Sequence, residues 1–396
     1  MEKTISIIGG GASGMIASIF AAKSNSKVIL WEKKQDLGKK ILVTGNGRCN
    51  FTNKDLRLSH FHCRDKNFIK PALDAFDNKA SVDFFNSIGI DSYCDEKGRF
   101  FPKSNQASSV VFCLKQKIKE LGVIENTGCE IIGIKPVKNG FKIFQRGCSH
   151  TCNRVIISCG GKAYEQSSNT DTGYQIAQSL GHRVSLLKPG LVPIETEGSW
   201  PHTLQGIRLD VTLTIPECGL KITDEILWTK YGISGPAALF SSRFVSRNSN
   251  INIDFLPYEN DIEKKLKKRI LLLKNRKASD LFIGFLPDRL GRFLIFVSGI
   301  ASDLPCEKIK NSDMKRLIKN LKNFEIKIKG LRPFREAQTT CGGVDVSEVR
   351  ADIMQSKIIP NLFFCGEILD VDADTGGYNL QWAWSSGFVA GNSAGH

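Results

Sequence analysis

One stretch near the start constrains this chain more than any other. Thr4–Ile8 is a short apolar run that leads into Gly9-Gly10-Gly11-Ala12-Ser13-Gly14. A helix-patterned segment follows, then a second apolar run over residues 27–31 that ends on Glu32. Strand, glycine turn, helix and strand in that order predict a βαβ unit that binds a dinucleotide. Gly9 permits the tight turn, Gly11 lets backbone approach a pyrophosphate, and Gly14 lets the helix lie close to the strand. The helix start at Ala12 and Ser13 offers free N–H groups and a positive dipole end to the phosphates. Glu32 comes eighteen residues after Gly14, with Lys33 beside it, and is placed to accept hydrogen bonds from an adenosine ribose. A bare glycine triplet is only a turn. The strand before it, the helix after it and the acid at that distance make this one specific.

The far end of the chain says which dinucleotide. Residues 361–367 read as a buried strand that ends on Gly366 and Glu367. Thr375-Gly376-Gly377-Tyr378-Asn379-Leu380 then opens an apolar helix expected over residues 380–390. A strand ending in glycine and an acid can hydrogen-bond a ribityl chain and pyrophosphate. A glycine-opened helix can aim N–H groups at the N1–C2=O edge of a flavin, where negative charge collects on reduction. An NAD enzyme needs no such second element, so the expected cofactor is FAD. A plain structural strand–loop–helix is the alternative.

With 396 residues there is room for two or three domains. Glu2 and Lys3 lead straight into the first strand, so no secretory signal is expected. The apolar stretch 281–300 is broken by Pro287, Asp288, Arg289 and Arg292, which argues against a membrane span. Twelve cysteines without such a signal point to a reducing, cytoplasmic setting. None form Cys-x-x-Cys or Cys-x4-Cys, which argues against a flavoenzyme built around a redox-active dithiol. Cys148, His150 and Cys152 alternate along an expected hairpin with no fourth ligand nearby, so no metal site is expected.

Charge is unevenly spread. Residues 261–330 hold 18 Lys/Arg against 8 Asp/Glu, a net +10 of the chain's +15. Residues 263–274 and 314–321 read as basic amphipathic helices. Nucleic acid, acidic lipid or an anionic substrate would be attracted to such a segment. Few aromatics interleave with these lysines, so base stacking has little support and a solvated lysine surface is the favoured reading.

Residues 1–190 are expected to alternate strand and helix, with residues 155–158 a strand ending in Cys159-Gly160-Gly161, where chain returns to the nucleotide at Gly160. Asp171 is the expected N-cap of a helix running to Leu180. Residues 192–215 and 251–256 alternate as strands, and Ser234-Gly235-Pro236 reads as a turn or helix start. The expected organisation is α/β. A discontinuous Rossmann-like FAD-binding domain (1–190 and 340–396) carries an inserted β-barrel substrate domain (191–256 and 324–339) and a basic helical module (257–323). No second Gly-x-Gly-x-x-Gly follows a strand, so no separate NAD(P)H domain is expected.

Together these segments resemble the BaiN-like family of FAD-dependent oxidoreductases, also called aminoacetone-oxidase-like, over nearly the whole chain. The resemblance rests on Gly38-Lys39-Lys40-Ile41-Leu42-Val43-Thr44-Gly45-Asn46-Gly47-Arg48-Cys49-Asn50-Phe51-Thr52-Asn53, on Gly98-Arg99-Phe100-Phe101-Pro102, on Tyr231-Gly232-Ile233-Ser234-Gly235-Pro236, and on the block from Gly366 to Ala383. It implies FAD contacts from Lys40, Thr44, Gly45, Arg48, Cys49 and Asn50, besides Gly376, Gly377, Asn379 and Leu380. Departures from the family pattern are Ser18 for alanine, Asn25 and Asn46 where glycines are common, and Lys230 where a histidine often stands.

The resemblance further implies redox chemistry on a small organic molecule. The leading expectation is reduction of a conjugated C=C bond in a 3-dehydro-bile acid or similar steroid. NAD(P)H would be a transient co-substrate visiting the open flavin face. Tyr231, Lys230 and Tyr378 are the candidate donors to a substrate carbonyl, and Arg48 a positive charge near the flavin. The alternatives are packing for Tyr231 and Tyr378, a solvated surface lysine for Lys230, and the holding of a loop or a phosphate for Arg48. Arg332 and Arg335 are either a carboxylate clamp or structural ion pairs. Two rivals are a small-amine oxidase that releases peroxide and an RNA-associated flavoprotein that uses the basic segment. Oligomeric state is not legible.

Overall fold

The computed structural model describes residues 3–164, 171–198 and 200–396. It divides into two units, Met1–Pro189 with Gln338–His396, and Gly190–Ala337.

In the first unit, a five-stranded parallel sheet is ordered Leu362–Phe364, Arg154–Ile157, Thr4–Ile8, Lys27–Glu32 and Ile124–Thr127. Thr4–Ile8 takes the centre because Ile5, Ser6, Ile7 and Ile8 are all buried, as a parallel strand covered on both faces requires. Helix Ala12–Ala22 lies against helix Tyr378–Gly395 at backbone distance. A Cβ at Gly391 would stand 2.4 Å from the Ala17 carbonyl oxygen, and one at Gly387 2.5 Å from that of Ser13. The chain's first helix is thus seated on its last. The hairpin expected around Cys148, His150 and Cys152 is one arm of an antiparallel sheet, Ile131–Val137, Gly140–Gln145 and Cys148–Cys152. There the His150 ring packs 4.7 Å from Trp31. Asn25 and Asn46, which stand for glycines, take the left-handed conformation with φ of 55° and 56°.

One buried amide in this unit is fully used. Gln381 is 0 % exposed; its amide donates to the Phe76 carbonyl and the Ser385 hydroxyl, and accepts from Thr52 and Ser81. Gln381→Leu strands four partners at once and is expected to cost about 2–4 kcal/mol in a urea melt. His182 is also buried, with Ser356 at 2.9 Å and Glu348 at 3.3 Å. Burial lowers its pKa, against the pull of Glu348. The folded chain therefore holds His182 neutral more firmly than the unfolded chain does. Its contribution to stability is complete above the ordinary histidine value of about 6.5 and is lost as pH falls through and below it. Melting temperature should drop over that interval, and His182→Gln should flatten the drop.

In the second unit, six antiparallel strands close a barrel in the order Ile194–Thr196, Gly232–Ser234, Leu220–Thr229, Arg208–Ile215, Asn250–Asp254 and Phe324–Leu331. The basic segment forms helices Ile262–Leu272, Asp288–Val297 and Asn311–Lys322. Their apolar faces, through Leu266, Leu290, Leu294, Leu317 and Leu321, join Trp228, Ile251, Ile253 and Ile326 in one core. Helix Pro236–Ser241 starts right after Gly235, as the turn signal suggested.

Two local expectations are corrected. Residues 192–215 are not continuous strand, because Trp200–Leu204 is helical; Pro201 suits a first helical turn and cannot donate to a ladder. Asp171 occupies the N-cap position of Thr172–Ser179 without capping it. Its backbone is already helical, and its carboxylate lies 3.2 Å from the Lys162 ammonium instead.

Candidate flavin-binding site

The opening turn has the shape its glycines predict. A Cβ at Gly14 would fall 1.9 Å from the Gly9 carbonyl oxygen, so helix and strand meet there with no room for a side chain. At Gly11, and again at Gly160, an added Cβ would meet nothing within 4 Å. Gly11 is the N-cap of helix Ala12–Ala22 and brings no side-chain cap to its free N–H groups. Glu32 is fixed by two backbone donors, Gly10 N–H at 2.7 Å and Lys34 N–H at 2.8 Å. Gly9, Gly11, Glu32, Lys33 and Lys40 all line one cleft, together with Glu130, Ser158 and Cys159. Burial lowers the Lys33 pKa, with Lys34 adding to the effect.

The two chain ends build one site. Ser13 Oγ donates to the Cys365 carbonyl at 3.4 Å, and a Cβ at Gly366 would strike that hydroxyl at 2.3 Å. Glu367 accepts from Lys40 Nζ at 2.6 Å and from the Thr340 N–H at 2.7 Å. Thr340 Oγ1 in turn accepts the N–H groups of Lys162 and Ala163 at 2.8 and 2.9 Å. Trp382 and Trp384 are buried and donate to the carbonyls of Gly366 and Phe51, so they pack rather than stack on a substrate.

Residues 44–50 form the loop beside this element. Thr44 donates to the Ile41 carbonyl, and Gly45 approaches the Asn50 backbone closely. Arg48 folds back onto the Gly45 carbonyl at 3.2 Å and lies over the Phe101 ring at 4.6 Å. Cys49 is buried, and burial pushes its thiol up to about 12, which leaves only its backbone for a ligand. Asn50 Oδ1 is buried without a hydrogen-bond partner and lies 2.9 Å from where a Cβ on Gly377 would stand. An orphaned buried acceptor is costly unless something satisfies it. Gly377, with φ of 105°, is the N-cap of the last helix. Asn379 is occupied by its own turn, bonding Ala373 N–H and the carbonyls of Ala373 and Asp374. Leu380 is half-buried in the first turn of the same helix.

These features fit FAD: an uncapped helix start facing open space, a fixed acid lining the same cleft, and an unsatisfied amide beside a second glycine-opened helix. When bound, FAD would bring hydride chemistry to the site. Gly11, Gly160 and the first helix would hold the phosphates, Glu32 the adenosine ribose, and the 376–377 turn the ring end.

The proposed donors divide between the units. Lys230 is exposed on a turn of the barrel, and Tyr231 follows it with its ring 4.4 Å from the Arg332 guanidinium. Arg332 is itself held by Glu195 and Glu336, each at 2.6 Å, so it serves structural ion pairs. Arg335 is exposed and reaches Glu336 at 3.8 Å. Tyr378 belongs to the first unit and is buried; burial, with Asp55 and Asp374 nearby, pushes its phenol up to about 12. Sequence reasoning missed what surrounds it. His60 stacks on Tyr378, and His60 and His62 both contact Asp374. In the sequence these residues stand two apart, His60 with His62 and Asp372 with Asp374, and no periodic segment around them marks a site.

No described helix is long and apolar enough to cross a membrane. The chain is 33% identical over 98% of both lengths to the 3-dehydro-bile acid delta(4,6)-reductase of Clostridium scindens. It is 31% identical to the ribosomal RNA dihydrouridine synthase of Haemophilus influenzae, over 97% of this chain and 96% of that protein. The corresponding Escherichia coli protein is 30% identical over the same shares. In fold, the chain is similar to the 3-ketosteroid delta1-dehydrogenase of Sterolibacterium denitrificans, with a TM-score of 0.50, 12% identity and 99% of each chain covered. It matches the HI0933-like protein Rossmann domain over residues 3–393, and so belongs to that family of FAD-dependent oxidoreductases.

Proposed function

We propose that this chain is an NAD(P)H-dependent, FAD-carrying reductase that saturates a C=C bond conjugated with a carbonyl, and that the bond lies in a uracil base of RNA. The two kinds of relative share this bond type. A 3-dehydro-bile acid with Δ4,6 unsaturation and a uracil ring both offer a carbon made electrophilic by a conjugated carbonyl. Bound and reduced FAD would be the source of hydride for such a carbon, and a side chain of this protein would complete the reduction with a proton.

One observation favours RNA over a steroid. On helix Ile262–Leu272, Lys265 and Lys267 are tied to Glu259 and Glu263. Lys264 and Lys268, one turn apart on its exposed face, enter no ion pair among the described residues, nor do exposed Lys274, Arg276, Lys277 and Lys308. The Glu307 N–H donates to the Lys274 carbonyl at 3.2 Å, which sets Lys308 alongside Lys274. Cations left without internal partners are what a phosphate backbone neutralises. A small bile acid needs one such charge, not a row of them. The solvated-surface reading preferred from sequence is the alternative, and the relatives named for ribosomal RNA support taking this row as a binding surface instead.

The steroid reading remains the second, carried by the 33% identity to a bile-acid reductase. Twelve unpaired cysteines support a reducing, cytoplasmic place of work. The test is anaerobic. NADH or NADPH should bleach the flavin of the purified protein, and unmodified ribosomal RNA should restore its colour as dihydrouridine forms, detected by mass spectrometry. Restoration by a 3-oxo-4,6-diene bile acid but not by RNA overturns the substrate assignment. Fast reoxidation by air with peroxide release, and no use of NAD(P)H, would indicate the amine-oxidase rival.

A further inference from the structure

Two histidines and two aspartates converge under the turn that opens the last helix. Strand Phe61–His62 pairs antiparallel with Asp372–Ala373, which carries His60 and His62 to the turn beginning at Asp374. Asp374 bridges them: Oδ2 lies 3.0 Å from His60 Nδ1 and Oδ1 2.6 Å from His62 Nε2. The other nitrogen of His60, Nε2, lies 3.2 Å from Asp55 Oδ2. Both ring nitrogens of His60 therefore face carboxylate oxygens, and only a ring with a proton on each nitrogen donates to both. Asp55 is kept available as an acceptor, because bonds from Arg57 hold its carboxyl well below the usual carboxylate range.

The His60 ring also lies flat on Tyr378, with centroids 4.5 Å apart and 13° between planes. Tyr378 is the first residue of the last helix, and Gly377 before it is the N-cap. Asn53 completes the enclosure by donating to the Gly376 carbonyl at 2.9 Å. Asp374, Asp55 and Tyr378 contact His60 directly, His62 shares Asp374 with it, and Arg57 pairs with Asp55. A surface of this kind would be a solvated patch if exposed, yet the Asp374 side chain is 12 % exposed and those of His60 and His62 25 % and 17 %. Desolvated charge-assisted bonds of this kind hold a turn more firmly than neutral ones.

We propose that His60 is a positioning residue: with both ring nitrogens protonated between Asp374 and Asp55, it pins the 374–377 turn and sets a positive charge beside the ring end of the flavin. Reduction of a flavin places negative charge at its N1–C2=O edge, so a protonated His60, which cancels one of the two carboxylates flanking it, leaves that turn more favourable to the reduced state than a neutral ring would, as does the helix N-terminus. The inference rests on the FAD reading and not on the identity of the substrate.

The test compares wild type with His60→Gln, which keeps one donor and loses the charge. Apoprotein titrated with FAD should show binding weakened about tenfold in the variant, the scale of one lost charge-assisted bond. The bound flavin should also have a more negative midpoint potential. Equal affinity and equal potential in the two proteins overturn the proposal. Nitrogen-15 spectra of the wild-type histidine rings at neutral pH give an answer that needs no variant. Two protonated nitrogens on His60 support it, and one bare nitrogen overturns it even if His60→Gln fails to fold. Neither readout involves RNA or steroid, so failure here is separate from failure of the uracil assignment.

Discussion

Gly14→Ala is expected to yield a chain that no longer retains FAD. The added methyl would stand 1.9 Å from the Gly9 carbonyl oxygen and 2.7 Å from Ser158 Oγ. Neither neighbour can turn aside. The first is backbone in the nucleotide turn, and Ser158 is held by bonds to the carbonyls of Ile8 and Gly9 at 3.0 and 2.9 Å. The helix cannot retreat freely either, since its other side meets the last helix at Gly387 and Gly391. Overpacking of this kind costs about 3 kcal/mol or more, equivalent to a loss of affinity on the order of 100-fold if it falls on the bound state. Fluorescence titration of the apoprotein with FAD measures it. Gly11→Ala provides the contrast. Its methyl meets no protein atom within 4 Å, so the fold should stand while FAD binding falls, because the methyl occupies space the pyrophosphate needs. Wild-type FAD affinity in Gly11→Ala would refute the phosphate cradle, and in Gly14→Ala the close helix–strand contact.

Both glycines were legible in the sequence because their job is local. The turn, the helix and the acid at Glu32 lie within one βαβ unit, and spacing alone carries them. The closing element was legible in outline for the same reason, as a strand, a glycine pair and a helix. What spacing does not encode is partnership across the chain. Glu367 was read as a ligand to a ribityl chain, and its engagement with Lys40 and the Thr340 N–H, across 327 and 27 positions, was not foreseen. His60 and Asp374 lie 314 positions apart and meet through strands two residues long, too short for any alternation to register. The helix Trp200–Leu204 escaped because five residues hold little more than one helical turn, less than periodicity needs. Asn379 and Arg48, read as cofactor contacts, are each tied to backbone of their own loop. Their contribution to a bound flavin would come through the shape of those loops.

Replacing Lys264, Lys268 and Lys308 together by glutamine should separate RNA binding from flavin chemistry. All three are exposed, none has an internal carboxylate partner among the described residues, and none lines the nucleotide cleft. Glutamine preserves helix propensity and length, so the barrel unit should keep its fold. If the three neutralise phosphates, each removes one released counterion from the binding equilibrium. The slope of log affinity against log salt should then flatten by about 2–3 units, and affinity for a ribosomal RNA transcript should fall on the order of 10-fold or more at moderate salt. The rate of flavin bleaching by NAD(P)H should be unchanged. Lys265→Gln with Lys267→Gln is the control for lost lysine charge on the same helix, because these two lysines already serve Glu259 and Glu263 and should affect the slope less. A triple variant with the wild-type salt slope would remove the observation on which the uracil assignment stands. The conjugated-bond chemistry would then be left to a small unsaturated ketone such as the bile-acid relative takes.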